Sequence, residues 1–368
     1  MESGIEKLTN NSSSLFLLTN TWTHAKHGHA RGELDQVSKF LESKQLESRI
    51  VGNSRSFGDY PKFSLGEFAH RMKSDHSRLF KNWVDERLIY DLESNISRVS
   101  KELKANLTKA VFTSIKYSHI SRFSRLWDLD CNFSFRFIDL PADKGLYEKS
   151  FRLGKKAKSN YTFAIENKRS LEAVCKFWPS IIHVPPAQSL RTESNDLNQA
   201  RRRIGIFFPV GKPSNTEFVL ELINTTRHLN PIIKLPANMM SSAIIERYND
   251  CDFVSPGLTN EEFNKILSSI KVAILGHQNY IHYSSAYASY FISNNVPVVV
   301  SKNNLFEEEF GKQLVFSLPT KNQGELADIV RELYSHPIKE EKSEYAEYAS
   351  NQWLKFIDQS ARDKNSDS

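Results

Sequence analysis

The stretch KVAILGHQNYIHYSSAYASYFISNNVPVVV, Lys271–Val300, decides the fold. Its two ends, Lys271–Leu275 (KVAIL) and Val296–Val300 (VPVVV), are short and almost wholly apolar. Strands of that kind are buried on both faces, as in a parallel sheet covered by helices. The middle, from about Tyr283 to Ser293, reads as a helix, so the unit is strand, helix, strand. Asn295 stands at the helix exit, where Asn tolerates a left-handed backbone.

The same alternation runs outward in both directions. Arg203–Phe208 is an apolar strand, and Ser214 caps a helical stretch to about Leu229. Pro231–Leu235 and Asp252–Val254 read as strands around a helix at Ala237–Asn249. Thr259 caps another helix, with Glu262 at the capping-box spacing. Gln313–Ser317 is a strand and Gly324–Tyr334 a helix. The first half repeats the theme less regularly. Ser14–Thr19 is a strand, Asn20–Gly32 a loop, Glu33–Ser43 a helix and Glu47–Val51 a strand. Residues 63–107 hold two or three helices, followed by strands at Ala110–Ile115, Asn132–Leu140, Thr162–Ile165 and Ile181–Val184. The pattern predicts an α/β chain of two doubly wound parallel sheets facing a cleft. Residues 1–190 form the first domain and 201–335 the second, joined by the polar stretch Pro185–Ala200. Residues 336–359 form a terminal helix that packs back towards the first domain, and 360–368 a disordered tail.

Composition narrows the function. The chain has 368 residues, 39% hydrophobic and 25% charged, with a formal charge of +6. That is a globular chain long enough for two cores. Three dispersed cysteines, Cys131, Cys175 and Cys251, with no Cys-x-x-Cys pair, exclude a disulfide scaffold and a structural zinc site. No apolar run approaches the roughly 18 residues that cross a bilayer, so a cytoplasmic protein is expected. Basic runs at 101–109 and 152–158 suggest a peripheral contact with an anionic membrane at its inner face. No aromatic RNA-binding motif or zinc finger is present, so nucleic acid is not an expected partner.

Three pieces of the second half resemble the donor domain of GT-B glycosyltransferases, in particular the retaining family 4-like (group 1) enzymes. They are RIGIFFPVGK at 203–212, GLTNEEFNKILSSIKVAIL at 257–275 and ASYFISNNVPVVVS at 288–301. In the first half, the strand and Gly loop at 14–32, Asp139–Asp143 and IIHVPP at 181–186 fit the acceptor domain. The resemblance implies two Rossmann-like domains and a nucleotide-sugar donor. It also implies a hydroxyl acceptor on a glycan or a lipid-linked molecule, and no cofactor beyond the nucleotide-sugar substrate. It is a divergent resemblance. The two glutamates the family carries near the donor helix fall on His282 and Tyr290, and the Gly before its Pro-Val-Val strand is Asn295. The rival reading, from another class, is a non-catalytic two-domain protein that binds a nucleotide or glycan.

Candidate site residues follow from position. Gly211 and Lys212, after the first donor strand, would bring amides and an ammonium to a diphosphate. His277, His282, Tyr283, Ser284 and Ser285 lead into the next helix, whose N-terminal amides favour an anion. In the first half, TWTHAKHGHARGE brings His27, Gly28, His29 and Arg31 to the loop after the first strand, as an acceptor or phosphate loop. Its histidine spacing matches no zinc pattern, and Asp128-x-Asp130 lacks the preceding buried strand of a metal-binding Asp-x-Asp, so no metal is expected. An acceptor hydroxyl must lose a proton as it attacks. Asp139, at the end of FSFRFID, is the expected base, with His119 and His29 in reserve.

Overall fold

The computed structural model describes residues 15–20, 29–51, 78–103, 107–120, 123, 126, 129, 131–139, 161–175, 179–190, 203–208, 216–235, 240–254, 260–275, 285–301, 304–311, 315–318, 323–335 and 343–357. Among them, twelve strands form two six-stranded sheets, and every pairing is parallel.

The N-terminal sheet has the order β2-β1-β3-β4-β5-β6. Its strands are β1 (Leu15–Asn20), β2 (Glu47–Ile50), β3 (Leu107–Lys116), β4 (Asn132–Asp139), β5 (Thr162–Ile165) and β6 (Ile182–His183). Between them lie α1 (His29–Ser43), α2 (Arg78–Leu103), α3 (Tyr117–Ile120) and α4 (Lys168–Cys175). Successive side chains alternate between two cores, as the pleat requires. On one face Leu17, Phe112, Phe133, Phe135 and Phe163 meet Ile89, Leu92, Ile96 and Val99 of α2. Phe112 and Phe135 stack with centroids 4.8 Å apart, and Phe135 and Phe163 stack at 5.7 Å. On the other face Phe16, Leu18, Val111 and Ala164 meet Leu34, Val37 and Phe40 of α1.

The C-terminal sheet has the order β12-β11-β10-β7-β8-β9. Its strands are β7 (Arg203–Phe207), β8 (Ile232–Lys234), β9 (Asp252–Phe253), β10 (Ile270–Leu275), β11 (Val298–Ser301) and β12 (Val315–Leu318). Helices α5 (Thr216–Thr226), α6 (Ser242–Arg247), α7 (Asn260–Ser268), α8 (Ala286–Ser293), α9 (Asn304–Phe310) and α10 (Gln323–Ser335) connect them. Ile204, Ile206, Ile233, Val272, Ile274 and Val299 pack on α5 and α10. Phe207, Ala273, Leu275, Val298 and Val300 pack on α7 and α8. Helix α8 leaves through Asn295 at φ 57°, where Val296 N–H donates to the Phe291 carbonyl and Asn295 N–H to that of Ile292. That paired closure is a Schellman motif, and Asn meets its left-handed position.

The last helix, α11 (Glu344–Ile357), belongs to both cores. Tyr345 lies in the C-terminal core beside Phe306 and Phe291, whereas Trp353, Phe356 and Ile357 lie under the N-terminal sheet. Trp353 donates its indole N–H to the Pro185 carbonyl at 3.0 Å, and Ser134 donates its hydroxyl to the Phe356 carbonyl at 2.8 Å.

The structure differs from the sequence reading in several places. Residues 63–107 carry one 26-residue helix, α2, among those described. Helices α4 and α9 were not anticipated. Of residues 237–249, those described, 240–249, hold the short α6, which Ser241 caps by accepting the Ile244 N–H. The segment read as the start of a linker is buried: Ala187, Ser189 and Leu190 are at most 1% exposed, in a short 3-10 turn. Polar composition misled there, because Ser189 satisfies its hydroxyl on the Pro186 carbonyl. The proposed linker residues 191–200 and the tail lie outside the described residues.

Gly205, at the centre of β7, tests the packing. A Cβ there would sit 2.3 Å from Phe207 Cε2 and 3.0 Å from Ile270 Cδ1. Gly205→Ala should therefore cost about 1–3 kcal/mol, as overpacking does. Urea unfolding that leaves the variant within 0.5 kcal/mol of wild type, roughly the surface-substitution range, would contradict this packing.

Candidate functional site

In open parallel sheets, ligands bind beyond the carboxyl ends of the strands. At that edge of the N-terminal sheet stand Asn20 of β1, Ser114 and Lys116 of β3, Asp139 of β4, Glu166 after β5 and His183 of β6. Asp139 closes β4 opposite Lys116, although its side chain lies outside the described residues. His119 follows on the single turn α3 and is buried, at 7% exposure. His29 and Arg31 open α1 by their backbone, and their side chains lie outside the described residues, as do His27 and Gly28 entirely.

In the second half, Gly211, Lys212, His277, His282, Tyr283 and Ser284 also lie outside the described residues. Ser285 is buried and caps α8, its hydroxyl oxygen accepting the Ala288 N–H at 3.2 Å. The helix begins at Ala286, two or three residues later than the sequence suggests. Sequence reasoning passed over Lys234, the last residue of β8. Its ammonium donates to the Tyr287 hydroxyl and lies 4.9 Å from that ring's centroid. Burial holds the Lys234 amine below the ordinary lysine range.

The feature sequence reasoning missed most completely is a buried ionic cluster at the N-terminal edge. Arg136 has no exposure at all. Its Nη1 donates to Glu33 Oε1 at 3.1 Å and to the Thr113 carbonyl at 2.6 Å. Its Nη2 donates to Glu166 Oε2 at 2.8 Å, and its Nε to the Val184 carbonyl at 2.9 Å. Trp353 of α11 closes the cage, with its ring 5.2 Å from the guanidinium carbon. Glu33 also accepts the Ser114 hydroxyl on both oxygens at 2.8 Å. A planar fork with five donors suits this many partners, and Lys would not replace it. The signal was present in the sequence. Along NFSFRFID the phenylalanines take one face, which leaves Arg136 on the other face of a strand too apolar to be exposed.

The cluster continues into the other half. Lys168, the first residue of α4, donates its backbone N–H to Glu309 Oε2 and its ammonium to the Glu309 carbonyl, both at 2.8 Å. Glu309 belongs to α9, on the C-terminal sheet, and its Oε1 is 3.0 Å from His183 Nε2. That nitrogen also lies 2.9 Å from the Glu166 carbonyl, and His183 Nδ1 lies 2.7 Å from the Tyr348 hydroxyl. Burial pushes the Glu166 carboxyl up to about 8; Arg136 pulls it down, while Glu33 and Glu309 raise it further. Burial, then Glu309, pushes the Tyr348 hydroxyl up to about 12. Fully enclosed, Arg136 acts on no ligand. It pins the N-terminal part of α1, into which the histidine loop leads, against β3, β4 and β5.

Among the described residues, no group of three or more His, Cys, Asp or Glu side chains is arranged to hold a metal ion, and no helix is long and apolar enough to cross a membrane. No protein-family model matches the sequence, and no curated protein does. Solved structures match it over nearly its whole length. TcCGT1 in complex with UDP is 11% identical with a TM-score of 0.52, covering 94% of each chain. UGT2 of Phytolacca americana, complexed with UDP-2fluoro-glucose and pterostilbene, is 11% identical with a TM-score of 0.51, again covering 94% of each chain. The N-terminal domain of Candida albicans trehalose-6-phosphate phosphatase is 9% identical with a TM-score of 0.50, over 97% of this chain and 95% of that one. At such identities the likeness shows the fold alone, and that fold is GT-B.

Arg136→Met should cost about 3–5 kcal/mol, because it strands two carboxylates beside each other in the interior. Adding Glu33→Gln and Glu166→Gln to it should recover part of the loss. A single Arg136→Met variant as stable as wild type in urea would remove the cluster's structural role.

Proposed function

We propose that the chain is a glycosyltransferase that moves a sugar from a nucleotide-sugar donor to a hydroxyl acceptor. The observation that carries this reading is the whole-chain likeness to TcCGT1, a structure solved with UDP. The C-terminal sheet would hold the donor, with Gly211, Lys212 and the amides at the start of α8 receiving its diphosphate. His277, His282, Tyr283 and Ser284 would line the same site, beside Ser285. Lys234 stands at the same edge, and an anion arriving beside its ammonium would offset the cost of burying that charge. The N-terminal sheet would hold the acceptor, a glycan or a lipid-linked molecule, near His27, Gly28 and Arg31. The basic runs at 101–109 and 152–158 favour an acceptor presented at an anionic membrane face on the cytoplasmic side.

The chemistry asks little of the protein beyond position and charge. As the bond from the sugar to the diphosphate breaks, negative charge gathers on the leaving oxygen. Lys212 and helix amides would stabilise it, and the cleft would exclude water. Asp139 would take the acceptor proton, with His119 and His29 as the alternatives. No metal is required, since a lysine and backbone amides supply the compensating charge.

Thermal shift with nucleoside diphosphates tests the donor half of this reading. A saturating diphosphate, at about a hundred times its Kd, should stabilise the protein by about 2.7 kcal/mol. Lys212→Ala should weaken that binding by about 1–3 kcal/mol. Equal shifts in both proteins would make Lys212 an ordinary surface residue, and no shift with any diphosphate would remove the donor site.

Turnover tests the acceptor half. Asp139→Asn should lower the transfer rate roughly 100- to 10,000-fold and leave diphosphate binding intact. EDTA should leave activity in place. A strict Mn²⁺ or Mg²⁺ requirement, or near-normal turnover in Asp139→Asn, would overturn the respective assignment.

A further inference from the structure

Two domains of one chain rotate about the segments that join them unless their contact is extensive. A hinge is a few loop or element-terminal residues that absorb the change in φ and ψ. Here the chain crosses between the halves twice, and neither crossing offers such residues among those described. The first crossing begins at the buried turn Ala187–Ser189. Leu190 N–H donates to the Ala187 carbonyl at 2.9 Å, and the Leu190 carbonyl accepts the Gln36 side-chain amide of α1. The second crossing is α11, unbroken from Glu344 to Ile357, with neither Pro nor Gly in EYAEYASNQWLKFI. A sharp kink needs such a residue or an interrupted hydrogen-bond ladder. The two ends of α11 are anchored in different cores. Tyr345 packs edge-on against Phe310, centroids 5.1 Å apart, and Trp353 lies under the N-terminal sheet.

The halves also meet beyond the carboxyl ends of β5 and β6. Glu309 of α9 accepts the Lys168 backbone N–H at 2.8 Å, just after β5, and its Oε1 lies 3.0 Å from His183 Nε2, at the end of β6. The Lys168 ammonium donates to the Glu309 carbonyl at 2.8 Å and lies 5.4 Å from the ring centroid of Tyr348 on α11. His183 and Tyr348 stack with centroids 5.7 Å apart. Both His183 and Glu309 are buried, so parting α9 from this edge would leave several polar groups without partners. These contacts cover the ends of β5 and β6. The ends of β1, β3 and β4 lie further along the same sheet. We infer that the two halves form one rigid body with no working hinge: a ligand that binds beyond the ends of β1, β3 and β4 meets a spacing already set, and the halves do not rotate to close on it. The inference uses the fold alone and stands whether or not the chain transfers sugar.

The Lys168 amide carries the test. As the first residue of α4 it has no acceptor within its own helix, so its bond to Glu309 reports on the joint directly. Native-state hydrogen exchange of the full chain is followed in rising urea. In wild type, Lys168 should exchange only through the urea-dependent opening that the core amides of β3 and β10 share. In Glu309→Ala it should exchange at least about tenfold faster, through a local opening that urea does not affect. If that variant fails to fold, Glu309→Gln takes its place. Scattering with and without UDP is the second arm, with thermal shift establishing that UDP is bound. The radius of gyration should not change. A urea-independent opening at Lys168 in wild type, or a smaller radius of gyration with UDP bound, would overturn the rigid body. Where UDP does not bind, the donor reading fails and the exchange result alone decides.

Discussion

A guanidinium with no access to water must be surrounded by partners, and Arg136 dictates how five elements of the N-terminal half meet. It binds α1 through Glu33, β3 through the Thr113 carbonyl, the end of β5 through Glu166 and the end of β6 through the Val184 carbonyl. Each of these partners lies towards the carboxyl end of the sheet. The same ionic contacts that hold the sheet's edge together therefore also determine where the loops beyond it begin. Buried ion pairs often contribute little net stability, and their value lies in specifying one arrangement. Here an apolar residue at 136 would strand Glu33 and Glu166 and remove the polar tie that holds α1 to the sheet.

From that edge the constraint passes to the second half through two routes. One is polar, from Glu166, His183 and Lys168 to Glu309. The other is apolar: α11 begins among Phe306 and Phe310 and ends among Phe16 and Leu18. The buried turn at Ala187–Ser189 lies where α1, α8 and α11 converge. The two sheets are joined by these contacts, and Asp139 ends β4 at the carboxyl edge of the first. In the proposed transfer, donor and acceptor groups would come from different halves, so their alignment would depend on the join.

Much of this was legible in the sequence, for reasons that differ by element. Strands such as VPVVV and RIGIFF declare themselves because a parallel strand is apolar on both faces, and the helices between them are long enough to show a stripe. Asn295 was readable as a helix exit because few residues accept a positive φ. Helices α4 and α9 were not readable. KRSLEAVC and NLFEEEF are only eight and seven residues long, about two turns each, too short for periodicity alone to mark a helix. The cluster around Arg136 was half legible. The alternation in β4 announces a buried arginine, but its partners are 103, 30 and 48 residues away along the chain, a separation that local pattern does not carry.

The account rests on the two halves being one bonded body through Arg136, His183 and Glu309. Calorimetric unfolding of wild type and of Glu309→Ala tests that most directly. Wild type should melt at neutral pH in a single transition, with equal calorimetric and van't Hoff enthalpies, and the variant should separate into two transitions. Two independent transitions in wild type, or a single unshifted one in Glu309→Ala, would contradict it.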